Sequence, residues 1–189
     1  MKRKMNVPPA KRVITALGFD VGLLCTACVQ VKGNKTVSFY LLTRENTKKT
    51  KYETIQDEML DWLNGPDLCP LYGDIDKVGI EMHWSGPRPS GVQIKLRVLE
   101  MTIRQFFIQK GIPVDTVWAA TYKKKLGVCR LSHKENKKLA SKIALKHVIK
   151  DNKDKTLLER THDLGDAYLV ALYETEGILE GVEDKKEGK

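Results

Sequence analysis

Short apolar runs separated by turn residues occupy the first part of the chain. They are RVITALGFDVG at 12–22, LLCTACVQV at 23–31 and TVSFYLL at 36–42, with KGN at 32–34 between the second and the third. Apolar and β-branched runs of this length, bounded by Gly and Asn, are typical of strands joined by tight turns. The pattern therefore predicts three antiparallel strands in a β-meander.

Two later segments carry apolar residues at helical spacing. The first is KYETIQDEMLDWLNG at 51–65, the second spans about 91–110, and a glycine follows the last apolar turn of each. Their apolar positions are Ile55, Met59, Trp62 and Leu63 in the first, and Val92, Leu96, Leu99, Ile103 and Phe106 in the second. The second set has the spacing of a heptad seam, which favours core packing and also suits contact with a partner subunit.

Strands and helices alternate in the rest of the chain. The predicted strands are KVGIEM at 77–82 and PVDTVWAA at 113–120, and the predicted helices are NKKLASKIALKHVIK at 136–150 and the segment 163–177. A meander followed by this alternation predicts an α/β fold with a mixed five-stranded sheet flanked by helices. We expect one domain over residues 11–178, with a flexible basic arm at 1–10 and a flexible tail at 179–189.

Length and composition exclude several classes of protein. The chain has 189 residues, enough for one domain with a core, and no apolar run approaches the roughly 18 residues of a membrane helix. The basic start MKRKMNVPPAKR has no apolar stretch behind it, unlike a secretory signal. We therefore expect an intracellular protein that makes no membrane contact.

Four cysteines, at 25, 28, 69 and 129, raise the question of a zinc site or a disulfide. Cys25 and Cys28 form a C-x-x-C, but they fall in a predicted strand, where residues three apart face opposite sides. No second pair follows at zinc-finger spacing. The pattern favours structural thiols in a reducing compartment.

The positive charge is concentrated in one segment. Residues 120–160 contain 13 Lys or Arg and 4 Asp or Glu, so that the whole net charge of +9 lies there. An excess so localised is typical of a surface that binds a polyanion, although single lysines often only solubilise a protein. We expect contacts with nucleic-acid phosphates rather than with bases. The predicted contacts are Arg88, Lys123, Lys124, Lys125, Lys134, Lys137, Lys138 and Lys142.

Acidic residues stand where the predicted fold would bring them together. Asp20 ends the first strand and Glu81 the fourth, and if these strands are neighbours, both carboxylates emerge at the same edge. Asp163 and Asp166 are three residues apart at the start of the last helix, so they share a face. Taken alone, such acids are typical of a helix N-terminus, with Thr161 or Asp163 as the N-cap. Together with the distant acids, they favour a metal site.

Four clustered carboxylates cannot all stay ionised without a counter-charge. Mg²⁺ suits oxygen ligands of this kind, and two ions about 3.5–4 Å apart activate a water and stabilise the leaving oxygen of a phosphodiester. Beside a basic surface, the acids predict a two-metal-ion nuclease with no organic cofactor. His83, two residues beyond Glu81, and His162, next to Asp163, are candidate auxiliary proton shuttles or ligands, although a lone His is more often structural.

The motifs match a known group in order and spacing. The matching pieces are GFDVG at 18–22, GIEMHWSGPRPSGVQIKLRVLE at 79–100, KKKLGV at 123–128, NKKLASKIALK at 136–146 and HDLGDAYLVAL at 162–172. The order of elements and acids resembles the ribonuclease H-like superfamily. The finer pattern is similar to the RuvC-type Holliday junction resolvases, especially those of poxviruses and other large DNA viruses.

The resemblance implies that Asp20, Glu81, Asp163 and Asp166 bind two Mg²⁺ or Mn²⁺ ions. It further implies a homodimer that cuts two strands of a four-way DNA junction symmetrically, in recombination or repair, at a viral replication site in the cytoplasm or nucleus. Met82 departs from the Gln that relatives often carry after the strand acid.

Three other functions fit parts of the pattern. A ribonuclease H-like nuclease acting on RNA or RNA–DNA hybrids would keep the same acids and is the main alternative. An actin-like nucleotide-binding protein also carries D-x-G after its first strand, but it needs a second β-meander domain for which 189 residues leave no room. A binding module with an inactive site is disfavoured because all four acids are present.

Overall fold

The computed structural model describes residues 12–44, 51–83, 87–128, 132–149 and 155–179. The predicted arm at 1–10 and nearly all of the predicted tail at 179–189 lie outside the described residues, as does Cys129. Within the described ranges, no helix is both long and apolar enough to cross a bilayer.

Five strands form one mixed sheet. They are β1 (Thr15–Val21), β2 (Cys25–Lys32), β3 (Lys35–Thr43), β4 (Lys77–Met82) and β5 (Val114–Trp118), arranged in the order β3-β2-β1-β4-β5. The first three pair antiparallel, as the meander predicted, and β4 pairs parallel with both β1 and β5. The predicted fold class is confirmed, and β1 is the central strand.

Helices cover both faces of this sheet. They are α1 (Tyr52–Leu63), α2 (Gly91–Gln109), α3 (Ala119–Lys125), α4 (His133–Ala144), α5 (Lys155–Glu159) and α6 (Thr161–Glu174). A 3₁₀ turn spans Cys69–Asp74, and a π-helical turn over Leu145–Ile149 continues α4. One core lies between the sheet and α1 and α2, and the other lies between the sheet and α4 and α6.

The structure corrects two boundaries of the predicted elements. The fifth strand ends at Trp118, because the following AATYKKK contains good helix formers and folds as α3. The last helix begins at Thr161 rather than at Asp163, and Arg160 occupies its N-cap position without a side-chain cap hydrogen bond. The N-cap role considered for Thr161 or Asp163 is therefore wrong.

Two glycines let α6 lie unusually close to its neighbours. A Cβ on Gly18 of β1 would stand 2.2 Å from the carbonyl oxygen of Ala167. A Cβ on Gly165 would stand 2.0 Å from the carbonyl oxygen of Ala140 on α4. At its other end, α6 is tied to β4 by the buried Glu174, whose carboxylate pairs with Lys77 of β4 at 2.6 Å. The position of α6 against the sheet is thus closely fixed.

The apolar seam of α2 serves two purposes. Leu99, Ile103 and Phe106 are buried in the core, as expected for ordinary packing. Val92 is 56% exposed, and with Leu96 it lines a cavity at the edge of the sheet. The first turns of α2 therefore belong to the wall of that cavity rather than to the core.

Candidate active site

The carboxyl ends of β1 and β4 bring the first two acids together. The strands are parallel neighbours, and Phe19 pairs with Ile80, so Asp20 and Glu81 follow at the same edge. The first turns of α6 place Asp163 and Asp166 over that edge. Asp20, Asp163 and Asp166 line one cavity of about 730 Å³. The structure thus places the predicted acids at one edge of the sheet, and their role stays a prediction.

Burial and mutual repulsion act on the acids. Burial, followed by the charges of Glu81, Asp166 and Asp163, raises the pKa of Asp20 well above its usual value. Burial and the charge of Asp166 likewise raise the pKa of Glu81, against the hydrogen bond that Glu81 receives from Tyr122. Burial also raises the pKa of Asp163. The cluster holds more negative charge than its surroundings neutralise.

Helix α3 supplies two partners to these acids. The hydroxyl of Tyr122 donates to Oε2 of Glu81 at 2.6 Å and lies 3.4 Å from Oδ1 of Asp166. The ammonium of Lys123 pairs with the same Oδ1 at 2.8 Å. Lys123 was predicted to contact phosphates, but its side chain is only 15% exposed and faces the acids. Tyr122 was missed, because no local pattern links it to a residue 41 positions away.

Asp163 has a different set of neighbours. Nε2 of His162 lies 3.0 Å from Oδ1 of Asp163, and a guanidinium nitrogen of Arg160 lies 3.9 Å from Oδ2. The thiol of Cys25 makes a hydrogen bond with the same carboxylate, and burial raises the pKa of that thiol to about 12. Within the described residues, Oδ2 of Asp163 is buried and accepts no hydrogen bond.

Comparison with known proteins identifies the fold. No protein-family model matches this sequence, and no curated protein matches it either. Among solved structures, Thermus thermophilus RuvC matches with a TM-score of 0.60 and 14% identity, covering 84% of this chain and 92% of that chain. The T. thermophilus RuvC in complex with a Holliday junction substrate gives 0.56, with 14% identity and coverages of 84% and 91%. The chain has the RuvC fold.

A eukaryotic protein shares the RuvC fold with this chain. The yeast mitochondrial Holliday junction resolvase Ydc2 matches with a TM-score of 0.52 and 10% identity, over 86% of this chain and 78% of that chain. The structural matches confirm the predicted likeness to RuvC-type resolvases at the level of fold. The finer likeness to the poxvirus branch stays a prediction.

His83 occupies the cavity wall in this version of the RuvC fold. Its backbone N–H donates to Oε1 of Glu100 at 3.1 Å, and its Nδ1 lies 2.9 Å from the same oxygen. Arg97 binds the other oxygen of Glu100 at 2.7 Å. The hydrogen bond to Glu100 raises the pKa of His83. No local pattern marks Glu100, which looks like an ordinary surface acid of α2 but is buried.

The turn between β1 and β2 forms another wall of the cavity. Arg44 is buried behind this turn and donates to the carbonyl oxygens of Gly22 at 3.3 Å and Leu23 at 3.5 Å. Its Nε pairs with Glu58 of α1 at 3.2 Å. Arg44 thus fixes the wall beside Asp20, a role that sequence analysis did not find.

The predicted phosphate-binding residues fall into three places. Lys137 on α4 lines the cavity, and Lys134, Lys138 and Lys142 are exposed on the same helix. The remaining exposed residues of the set are Lys124 and Lys125 on α3 and Arg88 in the loop before α2. Lys125 lies 4.4 Å from the ring centre of Tyr173. Lys137 therefore adjoins the acids, whereas no contact among the described residues ties Arg88 to them.

The donor chemistry of the cluster suits a hard divalent cation. Its acids offer carboxylate oxygens, the ligands preferred by Mg²⁺, and one buried oxygen of Asp163 has no hydrogen-bond donor among the described residues. Over the same part of the chain, no three His, Cys, Asp or Glu side chains already surround one point as a metal site would. Binding an ion would therefore require the carboxylates to turn toward it.

The charge imbalance predicts that Asp20→Asn stabilises the metal-free protein at neutral pH. Because the folded-state pKa of Asp20 is raised, its contribution to stability is full below about pH 3.8 and is lost as the pH rises through the folded value. In EDTA, thermal unfolding between about pH 4 and pH 8 should show a smaller loss of stability for the variant. Each kcal/mol gained corresponds to roughly 2–4 °C in Tm. An equal dependence of Tm on pH in the wild type and in Asp20→Asn would contradict the excess of negative charge in the acid cluster.

Proposed function

We propose that this chain is a metal-dependent, structure-selective DNA endonuclease that resolves four-way junctions by paired symmetric phosphodiester cleavage. The observation that carries the proposal is the meeting of Asp20, Glu81, Asp163 and Asp166 at one sheet edge. Support comes from Lys137 of α4 on the cavity wall and from the RuvC fold, which the chain shares with a protein bound to a Holliday junction substrate and with one named as a Holliday junction resolvase. The role belongs to DNA recombination and repair, in a virus if the poxvirus resemblance holds.

The proposed chemistry assigns a role to each group of residues. Asp20, Glu81, Asp163 and Asp166 would hold two Mg²⁺ or Mn²⁺ ions. When bound, such ions activate a water and stabilise the leaving oxygen of a phosphodiester. Lys123 balances part of the negative charge around Asp166, at 2.8 Å. His83, held by Glu100 on the cavity wall, can exchange a proton with the attacking water or the leaving oxygen.

The lysines of α4 would hold the DNA backbone beside the acids. Replacing Lys134 and Lys138 by Ala should flatten the plot of log affinity against log salt by roughly one to two units, because each lost phosphate contact removes about 0.9. Fluorescence anisotropy with a labelled junction measures this slope. Lys32 and Lys35, exposed at the opposite end of the sheet, provide the matched control. An equal slope in all three proteins would show that α4 does not contact DNA.

Paired cuts require two active sites, and we propose a two-fold homodimer as their source. A junction has two-fold character, and closed two-fold dimers are the commonest symmetric assembly. Helix α2 supports this proposal because Ile94, Met101 and Ile108 are more than two-fifths exposed along it. Ile94 and Met101 line a groove between α1 and α2.

A cleavage assay on a four-way junction, with and without Mg²⁺, tests the proposed function. We expect paired nicks in opposing strands, only with Mg²⁺, and little cutting of linear duplex of the same sequence. Light scattering of the same protein should give twice the chain mass. Faster cutting of an RNA–DNA hybrid or of RNA than of the junction would favour the ribonuclease H-like alternative. A monomer that nicks one strand at random would exclude paired resolution.

A further inference from the structure

The side chain of Tyr122 ends inside the acid cluster. Its ring is fully buried, in the core that also contains Val117, Ile143 and Leu164. Its hydroxyl reaches Glu81 of β4 at 2.6 Å and stands 3.4 Å from Asp166 of α6. A single neutral group thus touches acids from two separate elements of the fold.

A phenol does something in this place that Lys123 cannot do. A hydroxyl has one proton, so Tyr122 can donate a full hydrogen bond to only one carboxylate oxygen, and the shorter distance assigns that bond to Oε2 of Glu81. A phenol carries its proton at neutral pH, so the hydroxyl acts as the donor in this bond. It fixes the orientation of the carboxylate without neutralising its charge, and Oε1 of Glu81 remains available to another ligand.

We propose that Tyr122 is a positioning residue of the acid cluster, whose hydroxyl holds Oε2 of Glu81 so that the carboxylate presents Oε1 to a divalent cation. The inference rests on the proposed function and deepens it, because it assigns a group that acts on the metal ligands rather than on the DNA. Carboxylates that bind metals are commonly oriented by such outer hydrogen bonds, and loss of one typically costs 10–100-fold in metal affinity or activity.

A purely structural role for the hydroxyl makes a different prediction. A buried tyrosine needs some hydrogen-bond partner, and Glu81 could serve only that need. In that case, removal of the hydroxyl would change the stability of the metal-free protein and leave metal binding as it was. The decisive quantity is therefore the affinity for a divalent cation and not the free energy of unfolding.

Tyr122→Phe tests the inference, with Tyr168→Phe as the matched control. Tyr168 is equally buried in the same core, but its hydroxyl lies 3.5 Å from the carbonyl oxygen of Asn34, at the β2–β3 turn. Binding of Mn²⁺ is measured by calorimetry and by electron paramagnetic resonance without DNA. We expect the Mn²⁺ affinity to fall roughly 10–100-fold in Tyr122→Phe and to stay at the wild-type value in Tyr168→Phe.

Cleavage kinetics add a second measurement. At saturating Mn²⁺, kcat of Tyr122→Phe should be reduced while KM for the junction is unchanged, because the hydroxyl is buried against Glu81 and Asp166 and lies away from the exposed lysines of α4 that we propose hold the DNA. Wild-type Mn²⁺ affinity in Tyr122→Phe would overturn the inference. If the wild-type protein binds Mn²⁺ but cuts no DNA, the proposed function fails, whereas the Mn²⁺ titration still decides the role of Tyr122.

A spectroscopic measurement on the wild-type protein covers the case in which Tyr122→Phe does not fold. An ion bound at Oε1 draws negative charge from the carboxylate and weakens the hydrogen bond that the phenol donates to Oε2, and this alters the near-ultraviolet absorption of tyrosine. Tyr168→Phe should show the same Mg²⁺-induced difference spectrum as the wild type. The absence of any tyrosine difference spectrum at saturating Mg²⁺ would likewise overturn the inference.

Discussion

Asp166→Asn should nearly abolish cleavage of a four-way junction while leaving junction binding intact. Asn keeps the shape of the side chain but removes a negative ligand from the proposed metal site. We expect the cleavage rate in Mg²⁺ to fall by about 10³-fold or more, equal to roughly 4 kcal/mol in the activation barrier. Gel-shift titration in Ca²⁺ measures binding, which should survive or tighten because a negative charge near the phosphates is lost.

Substitution of each of the other acids of the cluster should likewise reduce cleavage and leave junction binding intact. The substitutions are Asp163→Asn, Asp20→Asn and Glu81→Gln. Because these residues belong to separate elements of the fold, only a shared site predicts the same phenotype for all three. Asp57→Asn removes an equal charge from the exposed face of α1 and serves as the control. Near-normal cleavage by Asp166→Asn would mean that Asp166 serves only the ion pair with Lys123 and that the proposed metal site is wrong.

Gly165→Ala should destabilise the fold far more than an added methyl group usually does. The new Cβ would stand 2.0 Å from the backbone oxygen of Ala140, and a backbone cannot move aside as a flexible side chain can. We expect the free energy of unfolding to fall by about 3 kcal/mol or more, corresponding to roughly 6–12 °C in Tm. Differential scanning calorimetry measures the change.

Gly91→Ala is the matched control for this substitution. Gly91 is also helical, at the start of α2, and nothing lies within 4 Å of the position that its Cβ would take. Alanine there should be neutral or stabilising by about 0.4–1 kcal/mol, because it restricts the unfolded chain. An unchanged Tm for Gly165→Ala would show that α4 and α6 can separate without cost.

The strands and the first two helices could be predicted from sequence because the patterns that specify them lie within short stretches of the chain. The apolar runs of β1 to β3 end at turn residues, and α1 and α2 show helical periodicity. The meeting of Asp20 with Glu81 required one more step, that neighbouring parallel strands end at the same edge. These predictions use residues close together in sequence and a general rule of α/β folds. The structure confirms the predicted sheet and places Asp20 and Glu81 at the same edge of it.

The partners of the acids could not be predicted because they depend on contacts between distant residues. The bond from Tyr122 to Glu81 joins α3 to β4, and the bonds from His83 to Glu100 join the end of β4 to α2. Lys123 resembled its neighbours Lys124 and Lys125 in sequence, yet only its side chain turns toward Asp166. Which side chain of a helix faces the acids depends on how the helix is rotated against the sheet, and local sequence patterns do not specify that rotation.

The place of α6 in the chain has a consequence for protein synthesis. Domains generally fold as units during synthesis, the N-terminal one first. Until α6 emerges, one face of β1 remains uncovered in the growing chain, and the edge of the sheet has only Asp20 and Glu81. Closing the core and completing the proposed metal site are therefore the same event. Under the proposed function, a nascent chain that has not yet made α6 would be unable to cut nucleic acid near the ribosome.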